Sequence, residues 1–314
     1  MDVAGGLRRA VDGAAGHGIT AAYLTGWRAV RLLPEPAARG LFDRIADGIH
    51  ARDVRSVQRL RANLTRAVPP ERLEETVHAG VRSYLRYWCE SFRLPSWDID
   101  DVVARTRVIG EEHLRGPQSA GRGVVAALPH MGNWDWAGAW ACATGMPLTT
   151  VAERLEPTRL YDEFVAFRAG LGMEILPLTG GPPPMRRLTD AVREGRLVCL
   201  LADRDLSRAG TEVTLLGEPA GMPRGPAVLA RATGVDLVPV TLAYRDRDLE
   251  LTFHPPVPHA PGDDGIVAMM QAVADAFSAG IAADPTDWHM MQKVFVADLD
   301  GHRTGSTGTT GAAG

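Results

Sequence analysis

A chain of 314 residues with 45% hydrophobic side chains is long enough to bury a sizeable core, and a formal net charge of -4 gives no global electrostatic case for a nucleic-acid partner. A single lysine, Lys293, stands among 34 basic residues, so an isolated arginine is weak evidence for phosphate binding, although its fork suits a phosphate. Cys89, Cys142 and Cys199 are far apart with no C-x-x-C, which predicts no disulfide framework and fits a reducing, cytosolic setting.

The N-terminal "MDVAGGLRRAVDGAAGHG" lacks the apolar run of a secretion signal. No stretch approaches about 18 uncharged apolar residues, so no membrane-spanning helix is expected, and a soluble or peripheral protein follows. Residues 18–34 read as an amphipathic helix with Ala22, Tyr23, Leu24, Trp27, Val30 and Leu33 near one side, interrupted by Arg28 and Arg31. That side is either core or a membrane-facing surface. "PEPAARGLFDRIADGIHAR" follows as a helix started by its prolines. "VRSVQRLRANLTRAV" and "ERLEETVHAGVRSYLRYWCESFRL" add two more, making a helical N-terminal layer over about 18–95.

The pattern changes near residue 123. "GVVAALP", "LTTVAE", "MEILPL", "RLVCLLAD", "LVPVTLAY" and "LELTFHPPV" read as strands. "WAGAWACATG", "PTRLYDEFVAFRAGLG", "MRRLTDAVREG", "PRGPAVLARATG" and "DGIVAMMQAVADAFSAGIAADP" read as helices, the second ending at Gly170 or Gly172. The alternation predicts an α/β fold, a mixed sheet with helices on both faces, as one domain over 1–300. Such sheets carry their chemistry at strand C-terminal ends. The tail at 301–314, "GHRTGSTGTTGAAG", is small and polar and is expected to be disordered.

Histidine, four residues, aspartate occurs twice: His130 with Asp135, and His259 with Asp264. Spacing alone therefore decides nothing. His259 lies in a Pro/Gly loop, "PPVPHAPGDDG", where polar pairs are usually solvated. His130 follows "VVAALP" directly, at the end of a strand. Positions i and i+5 of one helix lie about 140° apart, so His130 must precede the helix, with Gly132 and Asn133 making the turn. Asn133 is then an N-cap, and Asp135 falls in the first turn, within reach of the imidazole. Two readings stand: a carboxylate-supported general base, or a cap beside a buried, hydrogen-bonded histidine. A metal site lacks a third ligand at convincing spacing, and no G-x-S-x-G elbow marks a serine hydrolase.

"LPHMGNWDWAGAW" resembles the first motif of the bacterial lipid A biosynthesis acyltransferase family, whose signature is His-x4-Asp. "VAERLEPTRLYDEFVAFRAGLG", "ADRDLSRAGTEVTLLGEPAGMPRGPAVLARATG" and "ADPTDWHMMQKVFVADL" follow in order. Together they look most like the branch that acylates phosphatidylinositol mannosides, and the likeness covers roughly 18–300. It implies transfer of a palmitoyl-type chain from acyl-CoA, a co-substrate, to a mannose hydroxyl of a membrane glycolipid, with no cofactor. It also implies peripheral contact with anionic lipid on the cytosolic face of the plasma membrane.

Residue by residue, His130 matches the family's catalytic base and Asp135 its motif partner, a support for the loop more than a charge relay. Asp203 matches an acidic residue beside the histidine, with Asp205 as the alternative, since the short loop "LTGGPPPMRR" departs from the pattern. Arg168 matches an arginine near the reacting carbonyl, and Glu153 an acidic neighbour that orders it. Glu153, Asp205 and Arg224 are the candidate substrate-binding residues. The chemistry agrees: a thioester already has a good leaving group, so it needs a base for the hydroxyl and a donor for the oxyanion. Trp134, Trp136 and Trp140 read as core and groove lining, with a tunnel for an acyl chain as the alternative, and His289 as a satisfied structural histidine. The rivals are the same mechanism on a lysophospholipid or lipid A-like acceptor, and a non-catalytic lipid-binding protein that keeps the fold.

Overall fold

The computed structural model describes residues 26–154, 158–205 and 210–300. The tail from Gly301 and residues 18–25 of the expected first helix, with Ala22, Tyr23 and Leu24, lie outside them. Helix α1 (Glu35–Ala51) starts behind Pro34 with Pro36 in its first turn, α2 is Arg55–Leu64 and α3 is Leu73–Arg93. Residues 26–32 are helical, but Trp27 is only 5% exposed and Val30 is buried. The Trp27 indole N–H donates to the Phe92 carbonyl at 3.0 Å, and its ring packs on Phe92, Phe164 and Phe167. This side of the segment is core, not a membrane-facing surface.

The stretch 99–119 holds three elements that the sequence pattern does not reveal: α4 (Ile99–Ala104), β1 (Thr106–Ile109) and α5 (Glu112–Ser119). β1 is short, and its residues alternate between half-buried and exposed, so it never forms an apolar run. The remaining strands of the main sheet are β2 (Val124–Leu128), β3 (Leu148–Ala152), β4 (Glu174–Pro177), β5 (Leu197–Leu201), β8 (Leu237–Arg245) and β9 (Asp248–Phe253). Their order is β1-β9-β8-β2-β5-β3-β4; only β8 and β9 run antiparallel. Outside it, β6 (Thr211–Leu215) and β7 (Glu218–Met222) form a hairpin, unforeseen because its two-residue turn is Leu216-Gly217. Both turn residues have positive φ, the geometry usually signalled by Asn-Gly.

Helices α6 (Trp134–Ala143), α7 (Thr158–Gly170), α8 (Met185–Arg193), α9 (Gly225–Thr233) and α10 (Gly262–Ala283) complete the alternation. All five residues of β2 are buried, and they alternate between two cores. Val125 and Ala127 pack with residues of α8, α9 and α10 on one face. Val124, Ala126 and Leu128 pack with Trp136, Trp140, Phe164 and Trp27 on the other. The sheet is thus mixed and covered on both faces, as expected.

α10 corrects one expectation. From Gly265 to Ala283 it carries a single charge, Asp275, so it is long and apolar enough to cross a membrane by length and composition. Its Ile266, Met269, Met270, Val273, Phe277 and Ile281 are buried, and it packs against β6 and β8. The apolar length is explained by that burial.

Candidate active site

β2 and β5 are neighbours in register, with Leu128 opposite Leu201. The Ala202 N–H donates to the Leu128 carbonyl at 2.8 Å, so the two chains leave the sheet side by side. Two residues past each paired end stand His130 and Asp203. The Asp203 carboxylate is fully buried and accepts three N–H groups: His130 Nδ1 at 2.6 Å, the His130 backbone at 2.8 Å and Trp288 Nε1 at 2.9 Å. Burial opposes its charge, but His130 and these donors prevail and hold its pKa below the ordinary carboxylate value. With Nδ1 engaged, Nε2 is the ring nitrogen left for chemistry, and His130 is 31% exposed at the rim of a cavity.

The loop that carries His130 is strapped on its other side. The His289 N–H donates to the His130 carbonyl at 2.7 Å, and the Gly132 N–H to the Asp287 carbonyl at 2.9 Å. Gly132 has φ +57, and a Cβ there would stand 2.8 Å from the Leu242 Cβ, so the turn requires glycine. Asn133 is the N-cap of α6, as expected, its Oδ1 accepting the Trp136 N–H at 3.0 Å.

Asp135 does not turn to His130. Its carboxylate is buried and holds Arg168, with Nε to Oδ1 at 2.6 Å and Nη2 to Oδ2 at 3.4 Å, while the Tyr87 hydroxyl donates to Oδ2 at 2.9 Å. The carboxylate on the imidazole is Asp203, because a first-turn residue of α6 points along the helix side and β5 delivers its aspartate at the sheet end. Burial works against the Arg168 charge, but Asp135 outweighs it and raises the guanidinium pKa. Glu153 does not order Arg168; it is exposed and lines the His130 cavity. Asp205 turns to the β6–β7 hairpin, its carboxylate accepting the Gly210 N–H at 2.8 Å and its backbone N–H donating to the Gly221 carbonyl at 3.1 Å. Arg224 pairs with Asp263 at 3.0 Å and is not among the described residues that line either cavity below.

His130 opens on a cavity of about 260 Å3 walled by Tyr87, Trp88, Trp134, Tyr161, Phe164 and the cations Arg168 and Arg204. A second, narrow apolar space of about 80 Å3 runs under α6. Trp134, Ala137, Gly138 and Ala141 face it at helical spacing, opposite Ala126, Leu128, Cys199 and Leu201 of the sheet. Trp134, Val151, Leu201 and Arg168 line both spaces, so slot and cavity meet beside Arg168. Sequence reasoning missed Tyr87, Trp88, Tyr161, Phe164, Arg204 and Trp288 as site residues. Trp288 sits in the quoted "WHMMQ" stretch; the others carried no local signal.

His289 is structural with one nitrogen satisfied: Ser83 Oγ stands 2.9 Å from Nε2, while Nδ1 has no hydrogen-bond partner. Its ring is buried against Tyr84, Tyr87 and Trp134. Among the described residues, no group of three or more His, Cys, Asp or Glu side chains is placed to hold a metal ion.

The family model for bacterial lipid A biosynthesis acyltransferases matches residues 14–296. The phosphatidylinositol mannoside acyltransferase of Mycolicibacterium smegmatis (strain ATCC 700084 / mc(2)155) is 43% identical over 291 residues, 91% of this chain and 94% of that one. The phosphatidylinositol mannoside acyltransferase of Mycobacterium tuberculosis (strain ATCC 25618 / H37Rv) is 44% identical over 288 residues, 90% of each chain. A model that spans the strand ends, the His130 loop and the 287–289 strap, with relatives this similar over nine-tenths of the length, decides the matter: the chain belongs to the bacterial lipid A biosynthesis acyltransferase family.

Proposed function

We propose that this protein moves a palmitoyl-type chain from acyl-CoA to a mannose hydroxyl of a phosphatidylinositol mannoside. The observation that carries the reading is the meeting of an apolar slot and an aromatic, polar-rimmed cavity at Arg168, beside a histidine whose Nδ1 is held by a buried carboxylate. The apolar lining of the slot suits an acyl chain that enters it, and the cavity suits a sugar with polar hydroxyls and an apolar ring face. The acceptor class is supported by the two mycobacterial relatives, which carry that activity in their names.

The step is a direct transfer. His130 Nε2 takes the proton from the mannose hydroxyl as its oxygen attacks the thioester carbonyl. The Arg168 guanidinium meets the negative oxygen of the tetrahedral intermediate. The C–S bond then breaks, and the CoA thiolate takes the proton back from the imidazolium, leaving an ester and free CoA. Asp203 holds the imidazole in one tautomer and stabilises its charged form.

The acceptor is held in a bilayer by its own chains, so the enzyme reaches it from the cytosolic membrane surface. With Trp27 and Val30 in the core, the docking face is the outer side of the helical layer: Leu32, 86% exposed, and Leu41 and Ile45 one turn apart on α1, flanked by the exposed Arg28 and Arg44. The test of the chemistry is incubation of the protein with palmitoyl-CoA and a panel of acceptors, following CoA release. Phosphatidylinositol mannoside is expected to be the best acceptor; a lysophospholipid used faster would move the assignment. Co-sedimentation with anionic liposomes, weakened by salt and by Leu41→Ser with Ile45→Ser, tests the docking face; binding unchanged by that pair would place it elsewhere.

A further inference from the structure

Helix α3 presents Ser83, Tyr87 and Glu90 at i, i+4 and i+7, one helical face, toward the His130 loop and its strap. Ser83 donates to Asp287 Oδ1 at 2.6 Å, Tyr87 to Asp135 Oδ2 at 2.9 Å, and Glu90 accepts the Asn133 amide at 3.2 Å. Of these, only the Tyr87 contact bears on a group at the junction of slot and cavity. We propose that Tyr87 is a positioning residue that sets, through Asp135, how far the Arg168 guanidinium reaches into that junction. The proposal rests on the transfer reading above.

The asymmetry of the Arg168–Asp135 pair is the physical ground. An arginine and a carboxylate left to themselves close two parallel hydrogen bonds. Here Nε–Oδ1 is short at 2.6 Å, and Nη2–Oδ2 is long at 3.4 Å. The oxygen that Nη2 fails to reach closely is the one that accepts the Tyr87 hydroxyl. Tyr87 thus competes for Oδ2 and, itself within reach of Arg168, leaves the Nη edge of the guanidinium drawn back from Asp135. The phenol is aimed by packing rather than by chance: its ring lies 4.1 Å from Trp134 and 5.2 Å from Trp88. It stays a donor across the working pH range, because burial, and then the Asp135 charge, push its pKa well above the ordinary phenol value. Without the hydroxyl, the fork closes on Asp135, and the guanidinium turns away from the position of the developing oxyanion.

Tyr87→Phe is expected to lower kcat about tenfold, the weight of one hydrogen bond to a charged group, while KM for acyl-CoA stays within about twofold, as befits an interaction made in the transition state. Tyr84→Phe, on the same helix and stacked on the Tyr87 ring but with no hydrogen bond to Asp135 among the described residues, is the control and should keep the wild-type rate. A double-mutant cycle with Arg168→Lys separates positioning from general loosening. If Tyr87 acts through Arg168, Tyr87→Phe costs little in the Arg168→Lys background and the double variant resembles Arg168→Lys alone; fully additive losses overturn the proposal. A readout independent of turnover is hydrogen exchange of the Arg168 Nε–H by NMR, expected to change in Tyr87→Phe and not in Tyr84→Phe. An unchanged exchange rate in Tyr87→Phe overturns the geometry. A wild-type protein that releases no CoA, yet shows the exchange effect, overturns the transfer reading and leaves the positioning role standing.

Discussion

The two His-x4-Asp stretches of this chain share a spacing and nothing else. His259 is exposed, has no carboxylate partner among the described residues, and donates its Nε2–H to the Val235 carbonyl at 3.0 Å, while Asp264 is an exposed residue in the first turn of α10. His130 is carried by a buried strand to the sheet end, where the neighbouring strand, in register, delivers Asp203 to its Nδ1. In neither stretch is the aspartate of the motif hydrogen-bonded to its histidine; at His130 the motif aspartate builds the arginine side of the site instead. The spacing is therefore a consequence of a glycine turn plus a helix start. The chemistry comes from which strand ends beside it.

The largest expected effect separates the two histidines. His130→Ala should stay folded and lose roughly 10²–10⁴-fold in transfer rate, the usual contribution of a general base. His259→Ala should be nearly silent. Near-normal CoA release by folded His130→Ala, or an equal loss in both variants, would erase the contrast. Next comes the carboxylate. Asp203→Asn is expected to cost about 10²-fold, because the amide no longer favours the protonated imidazole. The acid limb of its rate–pH profile should move to lower pH. Asp264→Asn should change neither rate nor profile, and an unmoved profile in Asp203→Asn would reduce Asp203 to a structural support.

How much of this was legible in the sequence follows from the kind of signal each feature leaves. β2 and β5 are apolar runs, and the turn after β2 carries glycine and a capping asparagine, so a strand, a turn and a helix start could be read locally. The pairing of β2 with β5 is a contact between residues about 73 positions apart, as the His130–Asp203 separation measures. No local pattern encodes it; only the family resemblance pointed at Asp203, and it left Asp205 open. Tyr87 was quoted within a helix, but its partner Asp135 lies 48 residues away. β1 and the β6–β7 hairpin failed for a different reason: the first is a short edge strand, the second turns on Leu-Gly. The Trp27 side of the first helix was ambiguous because burial and membrane contact ask for the same residues.

A smaller effect tests the slot that distinguishes the surroundings of His130. Gly138 lines it, and a Cβ there would stand 2.5 Å from the Met173 Cε, the movable end of a flexible side chain. Gly138→Leu should shorten the usable slot without touching His130. Relative to wild type, turnover should shift toward shorter acyl-CoA donors by about fourfold for each methylene that no longer fits, since a buried CH2 is worth ~0.8 kcal/mol. A uniform loss across all chain lengths would mean that the acyl chain lies elsewhere.

The smallest effect is on stability, and it concerns the histidine that straps the His130 loop. Ser83 has one hydroxyl proton and gives it to Asp287 at 2.6 Å, so at 2.9 Å it accepts from His289, which is assigned as the Nε2–H tautomer. Burial, and then the nearby His130, lower the His289 pKa to about 3. In the unfolded chain it returns to the ordinary value of about 6.5. Between those two values the unfolded chain binds a proton that the folded one refuses. Stability from this group is therefore full above about pH 6.5 and falls as pH drops toward 3, by at most roughly 1.4 kcal/mol per pH unit. Asp203, with its lowered pKa, loses its contribution only below the ordinary carboxylate range. Asp287, raised by burial, acts in the opposite sense just above that range and blunts the slope at the acid end. The cleanest window is thus the pH unit just below 6.5. Denaturant midpoints of wild type should fall there, and those of His289→Gln should fall less. The curve will flatten rather than level, because burial also lowers the His254 pKa. His259→Gln, changing an exposed ring, should follow the wild-type curve; parallel curves for His289→Gln would show that this strap does not sense pH.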